Sequence, residues 1–429
     1  MNYKETLEYI KKLNRFGKKK GLQRIKTILK KLGNPEKNLK IIHVAGTNGK
    51  GSTASYISSI LIHQGYKVGL YTSPSLEKFT DRVRINGERI SEEDVSRLLT
   101  NIRELSEEDK NMECPTEFEV ITAAAYKYFD ESNVDFSVIE VGMGGRLDTT
   151  NVINPILSVI TSISYDHMQI LGNTLKEIAY EKAGIIKENV PVVTCPQKEE
   201  AETVIEKTAH DKNSRFIKVP LDCIKFKGIR GEFQTFDVSA YGKIFHIEDP
   251  LFGTFQMMNC AEAVYASFEL MKQGIMINDE SIINGIKDVK WPARMEIMRK
   301  DPLVILDGAH NIDGIYNLFE SIRKYLKYNK LVLILGILAD KEVEKMVRTA
   351  AGNSSRIICI SPNSERAESS EKLLSIAKKY NKNAESCNDY EAAYDKGIGY
   401  CDKGDMLLIC GSLYMAGDMR KLIRGKIKK

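Results

Sequence analysis

Short apolar runs recur along this chain of 429 residues, each trailed by an amphipathic stretch. The first is "KIIHVAG", followed by residues 52–64; then come "KVGLYTS", "FEVITAAAYKYF", "DFSVIEVG", "ILSVITSI" and "LKEIAYEKAGIIK". This alternation is the mark of βαβ units, in which a buried strand feeds a helix that packs back over a parallel sheet. It predicts an α/β fold on a mostly parallel sheet. Residues 216–247 alternate with a shorter period between glycines and read as antiparallel hairpins decorating the first domain. Helices are expected near 256–273 and 279–288. The Trp-Pro pair of "WPARMEI" then breaks the pattern. From Pro302 the rhythm restarts with "LVILDGAH", "KLVLILGIL", "RIICIS" and "DMLLICGS". Two domains follow, 1–297 and a smaller doubly wound one over 298–429, because a chain this long outgrows a single core.

The chain offers no stretch apolar enough to span a bilayer, and charges fill its first twenty residues where a secretory signal needs an apolar segment. A cytoplasmic protein is expected, without membrane contact. Its eight cysteines form no CxxC and read as buried small hydrophobes. Basic residues exceed acidic ones by only five, and the runs "KKLNRFGKKK" and "RGKIKK" lack interleaved aromatics, so they read as solvated surface and no nucleic-acid partner is expected.

Between the first strand and its helix lies "HVAGTNGKGST". Its glycines let backbone N–H groups face an anion, a helix N-terminus stands behind them, and Lys50 is placed to meet terminal phosphates. The common GxxxxGK[ST] spacing fails: Val44 stands where the first Gly belongs, and Gly51 separates Lys50 from Ser52 and Thr53. The loop alone leaves a kinase, a GTPase and a ligase open. Glu140, Asp166 and His167 follow apolar strands, where open parallel sheets place ligand-facing groups; the acids suit Mg2+, whereas His is an unusual ligand for it. Lys182 reads by itself as a surface lysine whose stem lies along the protein. In the second domain "LDGAHN" puts Asp307 and His310 at another strand end. This suggests a site in a cleft between the domains, with Arg294 placed to reach a phosphate across it.

Taken in order, "GTNGKGST", "EVGMGGRLDTTN", "DHMQILG", "EKAGIIK", "WPARMEI" and "LDGAHN" resemble the folate branch of the Mur-ligase superfamily, the folylpolyglutamate and dihydrofolate synthases. The resemblance covers nearly the whole chain. It implies an N-terminal P-loop ATPase domain and a smaller C-terminal Rossmann-like domain. It assigns ATP phosphates to Asn48, Gly49, Lys50, Gly51, Ser52 and Thr53, and further nucleotide contacts to Asn259, Arg294 and Asp307. Ser73, Glu140 and His167 would take Mg2+ positions, and Lys182 would be the lysine that the family carbamylates, turning a cation into an anionic oxygen donor. Thr116, Phe118, Leu147, Asp148 and Thr149 match positions lining the pterin site. Phe118 has a physical rationale there as a flat face for a heterocycle, beside a role in core packing. Many relatives read Asn-Glu-Arg where Thr80, Asp81 and Arg82 stand, so Arg82 keeps its place among altered neighbours. Ser412 in "CGSLYMAG" would face the incoming glutamate.

The activity implied is ATP-dependent amide ligation: activation of a folate or dihydropteroate carboxylate as an acyl phosphate, then attack by L-glutamate, with His310 as the candidate base and a monomer as the working form. Two rivals remain. Another Mur-type amino-acid ligase is one, although cell-wall members usually carry an extra N-terminal domain and only about forty residues precede the loop here. The other is a P-loop regulatory NTPase, which leaves the second βαβ domain unexplained.

Overall fold

The computed structural model describes residues 1–13, 21–108 and 112–427. Lys18–Lys20 and Lys428–Lys429, the tips of the two basic runs, lie outside them. By its internal contacts the chain divides into two compact units. One comprises 1–226, 236–248 and 258–289, the other 227–235, 249–257 and 290–429.

The first unit is built on an eight-stranded sheet: β1 (Ile41–Ala45), β2 (Val68–Tyr71), β3 (Val83–Ile85), β4 (Glu88–Arg89), β5 (Phe136–Glu140), β6 (Leu157–Ile160), β7 (Val192–Thr194) and β8 (Phe216–Lys218). Their order is β4-β3-β2-β5-β1-β6-β7-β8. Strands β2, β5, β1, β6, β7 and β8 run parallel, while β3 and β4 add an antiparallel edge. Strand β1 is central and buried throughout, as its run of Ile, Val and Ala requires. Register sets Val44 beside Glu140 and Ala45 beside Ile160, so the loops leaving β1, β5 and β6 emerge together at one edge of the sheet. Helices Glu117–Glu131 and Glu92–Glu108 cover one core, containing Tyr126 and Phe129; the helices Leu175–Ala183 and Glu199–Asp211 cover another, around Ile178 and Ile205.

The hairpins expected over 216–247 begin later. Phe216–Lys218 joins the main sheet parallel to β7, because the helix Glu199–Asp211 supplies the crossover that parallel pairing needs. The hairpins are β9 (Ile224–Arg230), β10 (Phe233–Ala240) and β11 (Lys243–Asp249), joined by the two-residue turns Gly231-Glu232 and Tyr241-Gly242. Tyr241 and Gly242 both adopt positive φ, 48° and 81°, as the tightest hairpin turns demand.

The second unit carries β12 (Glu296–Lys300), β13 (Leu303–Leu306), β14 (Leu331–Leu335), β15 (Arg356–Cys359), β16 (Ala384–Ser386) and β17 (Met406–Cys410), in the order β12-β13-β17-β14-β15-β16. All neighbours are parallel except β12 with β13, and that pairing puts position 297 inside this unit, which takes up the chain from Lys290. Its core joins Ile305, Leu333 and Leu408 to the helices Ile312–Tyr325, Val343–Gly352 and Ser370–Ala377. Among the described residues no helix is long and apolar enough to cross a membrane.

Candidate active site

The turn after β1 is held from two sides. Gly46 lies at φ 148°, and a Cβ on it would stand 1.9 Å from the Thr161 hydroxyl of the loop after β6. Gly49, at φ 92°, opens the helix Lys50–His63, and its Cβ would stand 2.4 Å from Asn259 Oδ1. No side chain fits at either position, so the backbone itself forms the lining. The Thr47 N–H donates to the Ser162 carbonyl at 2.8 Å, and the Thr161 hydroxyl to the Asn48 carbonyl at 2.7 Å. Lys50 curls over the loop, its Nζ 3.1 Å from the Gly46 oxygen and 3.0 Å from that of Thr47. Gly51 and Ser52 are buried in the helix's first turn, where amide N–H groups lack carbonyl partners within the helix and the dipole favours an anion, and Thr53 is buried just behind them.

Lys182 joins the same loop. The surface position expected for it from the sequence is wrong: the side chain is 3% exposed, and Nζ donates to the Gly46 carbonyl at 2.7 Å. The helix Leu175–Ala183 packs so closely on the loop after β5 that a Cβ on Gly145 would lie 2.7 Å from the Glu181 carbonyl, which turns Lys182 inward. Burial, then the nearby charge of Lys50, pushes its pKa down to about 7, against the pull of Asp166 and Asp148.

Glu140 ends β5, is buried, and accepts the Ser73 N–H on Oε2 at 3.1 Å, so two of the three residues assigned to Mg2+ meet. His167 follows β6 at φ 49°, starting the short helix Met168–Leu171; its N–H donates to Asp166 Oδ1 at 2.8 Å. Among the described residues no three His, Cys, Asp or Glu side chains gather to hold a metal ion. A Mg2+ here would therefore need oxygens from the nucleotide or from a modified Lys182 beside the Ser73 hydroxyl and the Glu140 carboxylate, donors of the hard kind it prefers.

The residues matched to the pterin site divide by use. Thr116 caps the helix Glu117–Glu131: its hydroxyl takes the Glu119 N–H at 3.2 Å, and Glu119 returns the bond to the Thr116 N–H at 2.7 Å. Asp148 is buried, which raises its pKa, while the Thr150 hydroxyl at 2.6 Å and the N–H groups of Thr150 and Met143 bind its two oxygens. It thus shapes the loop and caps the turn Thr149–Val152. Leu147 is 39% exposed. Phe118 touches the loop after β5 so closely that a Cβ on Gly142 would meet its ring edge at 2.5 Å. Beside it the Arg82 guanidinium reaches Glu117 at 3.3 Å and lies 5.6 Å from the Phe79 ring centre.

In the second unit Asp307 ends β13 and is buried. Its Oδ2 accepts the Met295 N–H at 2.8 Å and its Oδ1 the Ala309 N–H at 2.7 Å. Burial raises its pKa, and the Arg294 charge works against that rise. The Arg294 Nη1 donates to the Ala293 carbonyl at 2.9 Å, and a Cβ on Gly308 would lie 2.3 Å from that Nη1. His310 Nδ1 lies 2.9 Å from the Gly308 carbonyl, which can only accept, so Nδ1 carries a proton. Ser412, after β17, is 1% exposed, and its Oγ has no hydrogen-bond partner among the described residues. The Gly411 N–H donates to the Ala309 carbonyl, tying Ser412's strand end to that of Asp307.

Two buried groups escaped the sequence reading. His43, the one polar residue of β1, places Nε2 2.9 Å from the Thr150 hydroxyl, and its pKa falls to about 3 by burial. Because that hydroxyl donates to Asp148, His43 must be the donor to it, and the three form a line beneath the loop. The second is Glu262, three residues beyond Asn259.

A tight loop between β1 and its helix in a mostly parallel sheet, followed by a second doubly wound unit, fits the two-domain plan that the resemblance to Mur ligases implies. The Mur ligase middle domain matches residues 44–267 and the Mur ligase glutamate ligase domain residues 293–413, and the chain belongs to this family of ATP-dependent ligases. Within it the likeness is to the folate enzymes. The dihydrofolate synthase/folylpolyglutamate synthase of Bacillus subtilis is 37% identical over 98% of this chain and 99% of its own. The crystal structure of folylpolyglutamate synthase from Thermotoga maritima superposes with a TM-score of 0.84 at 37% identity, over 99% of this chain and 97% of that one. E. coli FolC in complex with DHPP and ADP gives a TM-score of 0.88 at 27% identity, over 100% and 99%.

Proposed function

We propose that this protein joins L-glutamate to a folate, to dihydropteroate, or to both, at the expense of ATP. The observation that carries the reading is the convergence of Lys50 and Lys182 on the Gly46 carbonyl, within a loop whose backbone is bare enough to meet phosphates. A carboxylate oxygen of the pteroate or folate attacks the γ-phosphorus of ATP, the bond to the β-phosphate oxygen breaks, and ADP leaves. The α-amine of glutamate attacks the acyl carbon, the C–O bond breaks with its electrons on phosphate, and the nitrogen gives up a proton. His310 is the base we assign to it. Asn48, Gly49, Lys50, Gly51, Ser52 and Thr53 would meet the phosphates, with Asn259, Arg294 and Asp307 as further nucleotide contacts. Spreading charge on the transferring phosphoryl group is where catalysis of such steps mostly lies.

Ser73, Glu140 and His167 would hold Mg2+, which supplies charge neutralisation at the phosphates. A carbamylated Lys182 would add an anionic oxygen ligand to that shell, and its lowered pKa supports this, because only the neutral amine adds to CO2. Phe118, Arg82, Leu147 and Thr149 would meet the pterin, with Asp148 and Thr116 holding the loop and helix that carry them, and Ser412 the glutamate. A cytoplasmic location is in keeping with the eight free cysteines, and a monomer is the working form we assume.

The test is ADP release from purified protein. ADP is expected with ATP, glutamate and either dihydropteroate or a reduced folate present together. Release of equal ADP without an amino-acid acceptor would favour a regulatory NTPase, and no release with any pteroate or folate would sink the folate assignment. Parallel assays with the two acceptors then separate dihydrofolate synthase from folylpolyglutamate synthase.

A further inference from the structure

We propose that Glu262 is a positioning residue for ATP: from the helix Thr254–Met271 it seats the first turn of the helix Lys50–His63, and with it the phosphate loop. The inference rests on the reading that residues 46–53 hold ATP.

Glu262 has no exposed surface. Its Oε1 accepts the Cys195 N–H, just past β7, at 2.8 Å, and its Oε2 lies 3.3 Å from the Thr53 hydroxyl. Asn259 precedes it by three residues and faces Gly49, while Thr53 follows Gly49 by four and donates its N–H to the Gly49 carbonyl at 2.9 Å. Residues three and four apart share a helix face, so one face of one helix grips one face of the other, with Lys50 and Ser52 on the gripped turn. The hold continues through Gln197, whose Nε2 lies 3.3 Å from Cys195 Sγ and 3.0 Å from the Thr161 carbonyl; the Thr161 hydroxyl in turn binds the Asn48 carbonyl. Both ends of the loop are thus fixed by one connected set.

Burying a carboxyl is costly unless it is hydrogen-bonded, and an apolar side chain in its place would leave the Cys195 N–H and the Thr53 hydroxyl without their acceptor. Burial pushes its pKa up to about 8 against the Cys195 N–H, the Cys195 thiol and the Thr53 hydroxyl that face it. Below that pH the group is the neutral acid. Above it, a negative charge appears beside Thr53, in the first turns of the helix whose N-terminus is to receive phosphates, and ATP affinity must fall.

The experiment compares wild type, E262Q, E262L and T53V by KM for each substrate and by kcat, from about pH 7 to about pH 9. E262L and T53V are expected to raise the KM for ATP about tenfold and leave those for folate and glutamate unchanged. E262Q should keep the wild-type KM for ATP at neutral pH and lose the alkaline rise that wild type shows. An unchanged KM for ATP in E262L and T53V, an equal rise in all three KM values, or an alkaline rise persisting in E262Q would overturn the proposal. Should E262L not fold, E262Q carries the test through its pH profile, because T53V could also act through Thr53's own place at the phosphates. Lys50→Ala separates the two readings: if it binds ATP as wild type does, the phosphate loop is misassigned; if it loses ATP while E262L does not, only the role of Glu262 falls.

Discussion

Lys182→Met is expected to lower kcat about a thousandfold, the scale of losing one preorganised charge at a developing anion. Methionine keeps the length and the apolar stem of lysine, so the packing against Gly145 survives and the change is chemical. In wild type, Nζ is buried, held on the Gly46 carbonyl, and has a pKa near 7. At pH 7 about half the lysines are therefore neutral and able to add to CO2, and at pH 6 about a tenth. Turnover should fall as pH drops through 7 and recover on incubation with bicarbonate at mildly alkaline pH. A 13C carbamate signal should appear with labelled bicarbonate in wild type and be absent from the variant. Turnover indifferent to dissolved CO2, together with no such signal, would reduce Lys182 to a loop anchor.

The same shift sets a stability slope for the unmodified protein. The unfolded lysine titrates at 10.5 and the folded one near 7, so between these values the unfolded chain holds the extra proton and stability rises with pH. The span is of order a few kcal/mol, and denaturant titrations should show K182M without it.

Lys182 also marks where reading the sequence stops. The form of the loop after β1 is legible because its signal is local: an apolar strand, glycines at two constrained positions, and a lysine at the start of a helix. Glu140 was legible because it ends an apolar run. The burial of Lys182 depends on how closely the Leu175–Ala183 backbone approaches Gly145, and no spacing in "YEKAGIIK" carries that. The strand Phe216–Lys218 cannot be told from a hairpin arm in the sequence, because three residues hold too little pattern to mark a parallel edge. Thr116 caps a helix and Asp148 its own loop, roles that stand beside the pterin-site positions the resemblance gives them, and the Thr-x-x-Glu pattern of residues 116–119 carries the first of these locally. His43 left a signal too, one polar residue in an otherwise apolar strand, but its partner Thr150 is more than a hundred residues away.

Asp307→Ala is expected to destabilise the second unit by about 3 kcal/mol and to cut kcat/KM about a hundredfold, because it strips one buried and one half-buried N–H group of their acceptor. Those donors belong to Met295 and Ala309, on either side of the residues at issue. Ala293 and Met295 both sit in the left-handed region, φ 57° and 45°, a conformation that non-glycine residues hold only when their surroundings enforce it. The Asp307 carboxylate on Met295 and the Gly308 N–H on the Ala293 carbonyl are the enforcement, and Arg294 projects from between them. Asp307→Asn separates framing from direct contact. An amide can accept one N–H and cannot accept a second through its NH2, so a framing Asp307 predicts stability and ATP affinity that fall together, each to a value between wild type and D307A. A carboxylate that touches the nucleotide instead predicts D307N with near-wild-type denaturation and a KM for ATP as poor as that of D307A. Normal denaturation and a normal KM for ATP in D307A would exclude both, and would mean that the left-handed turn around Arg294 stands without its buried acid.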